Sequence, residues 1–136
     1  MSALLTTDPF DDDKLKEECG VFGIWGDGDA SRHTALGLHA LQHRGQEAAG
    51  IVAHDGTQFH VERHAGLIGD TFTKASVLER LPGQSAIGHT RYSTTGSSEL
   101  CNAQPILVDG RYGQLALANN GNIINSAQLK EQVHSE

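Results

Sequence analysis

Lys16-Glu17-Glu18-Cys19-Gly20-Val21-Phe22-Gly23-Ile24-Trp25 runs from an acidic, apolar-poor leader straight into a segment that reads as a buried strand. Cys19 stands at the junction and offers a thiol, a side chain of high intrinsic nucleophilicity. If the leader were removed, Cys19 would become an N-terminal residue with its own general base. That base is the freed α-amino group, whose ordinary pKa is ~7.7–8.0. The plainer alternative is a small packing cysteine at the start of a strand, the commoner role of a lone Cys. Cys19 alone does not decide between them.

The rest of the composition narrows the class. A chain of 136 residues suits one domain with a real core. Aromatic residues make up only 5%, so that core is expected to be aliphatic. The net charge is −7, and residues 1–18 carry six carboxylates against two lysines. Such a balance leaves no electrostatic footprint for nucleic acid or an anionic membrane. Cys19 and Cys101 form no short-spaced metal or redox motif, which points to a reducing cytoplasmic setting.

Met1–Glu18 lacks the positive start and apolar run of a secretory signal, and Asp11-Asp12-Asp13 argues against a transit peptide. No segment is long enough to span a bilayer. The expected division is therefore a leader over 1–18 and a domain over 19–136. Within the domain, Val21–Trp25 reads as a strand ended by Gly26-Asp27-Gly28-Asp29. Ser31 is placed to cap a helix running to about Arg44, with Gly45 as its stop. Asp55-Gly56 predicts a two-residue hairpin between Ile51–His54 and Thr57–Val61. Thr71–Leu81 reads as a second helix, stopped by Pro82-Gly83. Ser85–Thr94 and Gln114–Ala118 read as strands, and Asn125 with Gln128 opens a last helix.

Eight histidines raise the question of a metal, and His39 and His43 stand at i,i+4 on the first predicted helix. No Cys or acidic residue is spaced to complete a site there, so exposed or hydrogen-bonded histidines are expected and no metal. Three other stretches carry chemistry only weakly when taken singly. Gln42-His43-Arg44-Gly45-Gln46-Glu47 ends a helix with a cation that already suits the helix dipole. Gly88-His89-Thr90-Arg91-Tyr92-Ser93-Thr94 passes from strand to polar loop, either a surface loop or a segment able to close over a ligand. Asn119-Asn120-Gly121-Asn122 is either a tight turn or a pair of donors, an amide and a glycine N–H, for a developing oxyanion.

Together and in this order the stretches are specific. The chain resembles the class II, N-terminal-nucleophile glutamine amidotransferases, and among them the glutaminase domain of glutamine phosphoribosylpyrophosphate amidotransferase. The resemblance runs from about Glu17 to Gln132. It rests on Glu18-Cys19-Gly20-Val21-Phe22-Gly23-Ile24, Leu41-Gln42-His43-Arg44-Gly45-Gln46-Glu47-Ala48-Ala49-Gly50-Ile51, Gly88-His89-Thr90-Arg91-Tyr92-Ser93-Thr94, Asn102-Ala103-Gln104-Pro105 and Asn120-Gly121-Asn122. The long middle motif and Asn102-Ala103-Gln104-Pro105 point to the purine-pathway member.

The resemblance implies an α+β fold, the four-layer αββα sandwich of N-terminal-nucleophile hydrolases, with only an incomplete N-terminal portion in this chain. It implies that Cys19, freed by cleavage after Glu18, attacks the glutamine carboxamide. Asn120 and Gly121 would hold the oxyanion, and Arg44 and Gly45 would lie beside the nucleophile. Arg91 would pair with the substrate α-carboxylate, while Tyr92 and Thr94 belong to the loop that closes over glutamine. In the family, ammonia then passes to a second domain and displaces pyrophosphate from phosphoribosyl pyrophosphate, giving phosphoribosylamine. The cofactors implied all belong to that remainder: Mg2+ with phosphoribosyl pyrophosphate and, in some relatives, an iron–sulfur cluster. A homo-oligomer is implied for the full-length form.

The family's later Ser-Asp-Thr/Ser-Glu-type motif, whose Asp holds the substrate α-amino group, has no counterpart in this chain. That absence reads as truncation, and the 136-residue chain is expected to be inactive by itself. The alternatives are an inactive fragment or the glutaminase of a sister enzyme. Glucosamine-phosphate synthase and asparagine synthetase usually start with Cys directly after the initiator Met, unlike this chain. Glutamate synthase has a leader, and only the middle motifs argue against it. Cys101 is expected to be a packing residue.

Overall fold

The computed structural model describes residues 19–44, 47–92, 100–121 and 123–135. Among them are strands β1 (Gly20–Trp25), β2 (Ala48–His54), β3 (Phe59–Ala65) and β4 (Ser85–Arg91). These form one antiparallel sheet in the order β1-β4-β2-β3. Helix α1 (Ala30–Ala40) and two single-turn helices, α2 (Ile68–Thr71) and α3 (Ala75–Leu78), cover one face. A separate hairpin, β5 (Ile106–Gly110) and β6 (Gly113–Leu117), and helix α4 (Ser126–His134) follow.

The alternation of side chains along each strand explains the layering. In β2, Ala49, Ile51 and Ala53 meet Leu38 of α1 together with Ile68, Phe72, Val77 and Leu81. Phe22 and Ile24 of β1 complete that face, and each large side chain buried there contributes ~1.5–3 kcal/mol. Gly88 lets α1 come close to β4, because a Cβ there would stand 2.6 Å from Leu38 and 2.7 Å from Thr34. Ala48–Ala53 are all buried, as expected for an inner strand of short side chains.

Several element boundaries differ from the sequence expectation. Helix α1 starts after Asp29, with Ser31 buried inside it, and ends at Ala40. Its last N–H, from Leu41, is shared between the Gly37 and Leu38 carbonyls, which tightens the chain into a 3-10 turn over Gln42–Arg44. The helix expected over Thr71–Leu81 is two short pieces. The Thr73 hydroxyl donates to the Gly69 carbonyl at 2.8 Å, the group that a continuing helix would use for its backbone. The hairpin loop spans Asp55–Gln58 rather than two residues, since Asp55 Oδ1 accepts the N–H groups of Thr57 and Gln58. Strand β5, which pairs with the expected β6, was not foreseen at all. Ser85–Arg91 and Gly113–Leu117 lie close to their expected spans.

Candidate active site

The antiparallel pairing of β1 with β4 brings the start of one to the end of the other, with Gly20 opposite Thr90. The Gly20 N–H donates to Thr90 Oγ1 at 3.2 Å. A side chain on Gly20 would point at Leu41, on the helix-covered face. By alternation Cys19 belongs to the opposite face, with His89 and Arg91. Its half-buried thiol donates to the Tyr92 carbonyl at 3.6 Å, and its own carbonyl accepts from Arg44 Nε at 3.3 Å. The 3-10 turn that replaces the end of the predicted helix is what delivers Arg44 to this point.

Arg91 ends β4 opposite Ala48, and its carbonyl accepts the Glu47 N–H at 3.1 Å. Among the described residues no carboxylate pairs with its guanidinium. The structure thus brings Cys19, Arg44, Arg91 and Tyr92 to one end of the sheet. Gly45 and the expected closing segment Thr94–Ser98 lie outside the described residues, as does the leader.

Asn120 and Gly121 are exposed and follow β6. Their tie to the sheet is made through the residue before them. The Asn119 N–H donates to Gln104 Oε1 at 2.7 Å, and the Asn119 carbonyl lies 3.2 Å from His89 Nε2. A carbonyl can only accept, so His89 carries its proton on Nε2. Burial pushes the His89 pKa down, the hydrogen bond to Asn119 opposes that, and the Arg91 charge reinforces it. His89 is fully buried, and its other ring nitrogen, Nδ1, has no partner. His89 and Gln104 stand inside the sequence motifs, where neither shows a role of its own. Only the crossing of the 102–105 segment over β2 reveals one. Gly50 permits that crossing, because a Cβ there would stand 2.2 Å from the Gln104 carbonyl oxygen.

Other polar groups lie away from this end. Asp55 pairs with His60 at 2.7 Å in the β2–β3 loop, and Glu62 bridges His64 and Arg80. The hydrogen bond from Arg80 is the main cause holding the Glu62 carboxyl below its usual range. A cavity of about 420 Å³ opens at the far end of the sheet, lined by Trp25, His54, Ser85 and Leu115, and contains none of the expected site residues. Cys101, expected to pack, is exposed on the 3-10 turn Leu100–Asn102. Among the described residues no three His, Cys, Asp or Glu side chains gather as a metal site. No helix among them is long and apolar enough to cross a membrane.

No family model matches the chain. It is 58% identical over 128 residues to amidophosphoribosyltransferase of Rhizobium etli, covering 94% of this chain and 26% of that protein. It is 53% identical to the chloroplastic amidophosphoribosyltransferase of Vigna aconitifolia, over 90% of this chain and 25% of the relative. A solved structure described as the allosteric regulatory enzyme of purine biosynthesis superposes with a TM-score of 0.76 at 48% identity, over 85% of this chain and 25% of that one. The Bacillus subtilis glutamine phosphoribosylpyrophosphate amidotransferase, solved with ADP and GMP, gives a TM-score of 0.74 at 47% identity, over 85% and 24%. The fold is of the N-terminal-nucleophile hydrolase class, represented by one part of its α+β sandwich. Within that class, the chain belongs to the amidophosphoribosyltransferase family, and it spans about a quarter of the length of the curated relatives it matches.

Proposed function

We propose that this stretch is the glutaminase portion of an amidophosphoribosyltransferase, with Cys19 as its nucleophile. The observation that carries the reading is the seat of Cys19. Its thiol and carbonyl are engaged by Tyr92 and Arg44 at the end of β1, beside the end of β4 that bears Arg91.

In the proposed reaction, cleavage after Glu18 frees the Cys19 α-amine. That amine takes the thiol proton, through a water, as Sγ attacks the glutamine carboxamide carbon. The Asn120 amide and the Gly121 N–H hold the resulting oxyanion, and Arg44 and Gly45 flank the nucleophile. The C–N bond breaks as the ammonium passes its proton to the departing nitrogen, so ammonia leaves and a thioester remains. Water then hydrolyses the thioester to glutamate and restores the thiol. Arg91 pairs bidentately with the substrate α-carboxylate, a task its planar fork suits better than lysine. Tyr92 and Thr94 belong to the segment closing over the substrate. The ammonia displaces pyrophosphate from phosphoribosyl pyrophosphate in the part of the enzyme beyond this stretch, giving the 5-phosphoribosylamine of purine synthesis.

The test is chemical. In the intact active protein, N-terminal sequencing is expected to begin at Cys19, and an electrophilic glutamine analogue is expected to label Cys19 and spare Cys101. Active protein that keeps Met1–Glu18, or labelling mainly at Cys101, overturns the assignment.

A further inference from the structure

Both backbone polar groups of Asn119 are taken by side chains from other parts of the chain. Gln104 Oε1 accepts its N–H at 2.7 Å, and His89 Nε2 donates to its carbonyl at 3.2 Å. His89 belongs to the four-stranded sheet, and Gln104 to a segment that lies against it. His89 sits in β4 between Val21 and Gly50, two residues before Arg91. The backbone carrying Gln104 lies hard against Gly50, and Arg63 Nη1 donates to the neighbouring Ala103 carbonyl at 3.3 Å.

Two features give this clamp weight. Within the described residues, the segments on either side of 119–121 bury little against the rest of the stretch, since four of the five β6 residues are exposed and α4 buries none of its residues. The His89 ring also leaves Nδ1 buried and unsatisfied, a cost that an apolar side chain would avoid. What the imidazole supplies in return is its single hydrogen bond to Asn119.

We propose that His89 and Gln104 are positioning residues of the glutaminase reaction. By fixing both peptide groups of Asn119, they aim the next two donors, the Asn120 amide and the Gly121 N–H, at the developing oxyanion. The inference rests on the reading of Cys19, Asn120 and Gly121 given above. In this reading the two clamp residues act through Asn119 rather than on the substrate. Their loss therefore appears in the barrier rather than in glutamine binding, which the Arg91 clamp supplies separately.

The experiment is steady-state glutamine hydrolysis by the intact protein. His89→Leu and Gln104→Leu are each expected to lower kcat about ten- to a hundredfold while KM for glutamine stays within about threefold. His89→Gln can place an amide N–H near the Nε2 position, and Gln104→Glu keeps an acceptor. Each is expected to recover most of the kcat lost in its leucine counterpart. If His89→Leu does not fold, the Gln104 pair and His89→Gln decide the matter. Unchanged kcat in the leucine variants, a loss confined to KM, or conservative variants as impaired as the leucine ones overturns the clamp. Those results are read against wild-type and Cys19→Ala protein. An inactive wild type, or an active Cys19→Ala, overturns the glutaminase reading and the clamp with it. An active wild type, an inactive Cys19→Ala and unimpaired clamp variants overturn the clamp alone.

Discussion

The four-stranded sheet and the β5–β6 hairpin are both antiparallel, yet among the described residues only the first has a core. Three helices close one face of the large sheet over Ile51, Phe22 and Ala86, and β2 is buried along nearly its whole length. Among the described residues the hairpin has no such cover: Ile106, Val108, Leu115 and Leu117 are all exposed, and α4 adds exposed Val133. The proposed chemistry is divided between these regions. Cys19, Arg44 and Arg91 stand on the packed sheet, while Asn120 and Gly121 stand on the chain leaving the hairpin. Local opening is cheapest where few apolar contacts must break, so within the described residues Asn120 and Gly121, the proposed oxyanion donors, stand in the less anchored region.

The largest effect expected falls on the packed side. Cys19→Ala is expected to abolish glutamine-dependent product formation by the intact protein while leaving ammonia-dependent formation in place, because in the proposed reaction the thiol serves only to release ammonia. Loss of both activities would show that Cys19 supports the fold rather than the chemistry.

The next pair tests the division directly. Asn120→Ala is expected to lower kcat about a hundred- to a thousandfold, since the hydrogen bond proposed for it would strengthen as the oxyanion forms. Arg91→Lys is expected to raise the KM for glutamine about tenfold with kcat nearly unchanged, because the carboxylate it would hold keeps its charge throughout. Steady-state kinetics of the two variants separate the roles, and the reverse pattern would exchange them.

The same division explains what the sequence made legible. The placement of Cys19, Arg44 and Arg91 follows from short motifs that fix them against a strand or a turn, which the register brings to one end of the sheet. Strand β5 was missed because its partner, β6, lies across a two-residue turn at Arg111-Tyr112 without the expected glycine pair, and its exposed side chains show little burial pattern. The end of α1 was misjudged because Gly45 looked like a stop, whereas the shared Leu41 N–H closes the helix sooner. The roles of Gln104 and Gly50 could not be read at all. They arise from one segment crossing another, which no local pattern records.

A stability comparison sharpens the contrast further. Leu38 is fully buried, so Leu38→Ala is expected to cost about 2–5 kcal/mol, from lost transfer energy and the cavity left behind. Val133, 75% exposed on α4, is expected to tolerate alanine within about 0.5 kcal/mol. Urea denaturation of both variants measures this. Equal losses would mean that α4 is buried against something in solution.

The smallest effect concerns charge within the packed region itself. Asp55 closes the β2–β3 loop, where the hydrogen bond from His60 is the main cause holding its carboxyl well below the usual range, followed by the N–H groups of Gln58 and Thr57. A depressed folded-state pKa stabilises the fold fully above the unfolded value of ~3.9 and ceases to do so as pH falls through the folded one. Asp55→Asn removes the charge but keeps an oxygen acceptor, so it isolates that contribution. Wild type is expected to be slightly more stable than the variant at pH 7, with the gap narrowing as the pH falls below about 4. Because the pair lies at the surface, added salt is expected to shrink the gap as well. Thermal unfolding of both proteins at pH 7 and pH 3, with and without salt, is the measurement. A gap as large as that of Leu38→Ala, or one that widens in acid, would mean that this loop, rather than the apolar face beneath the helices, holds the sheet together.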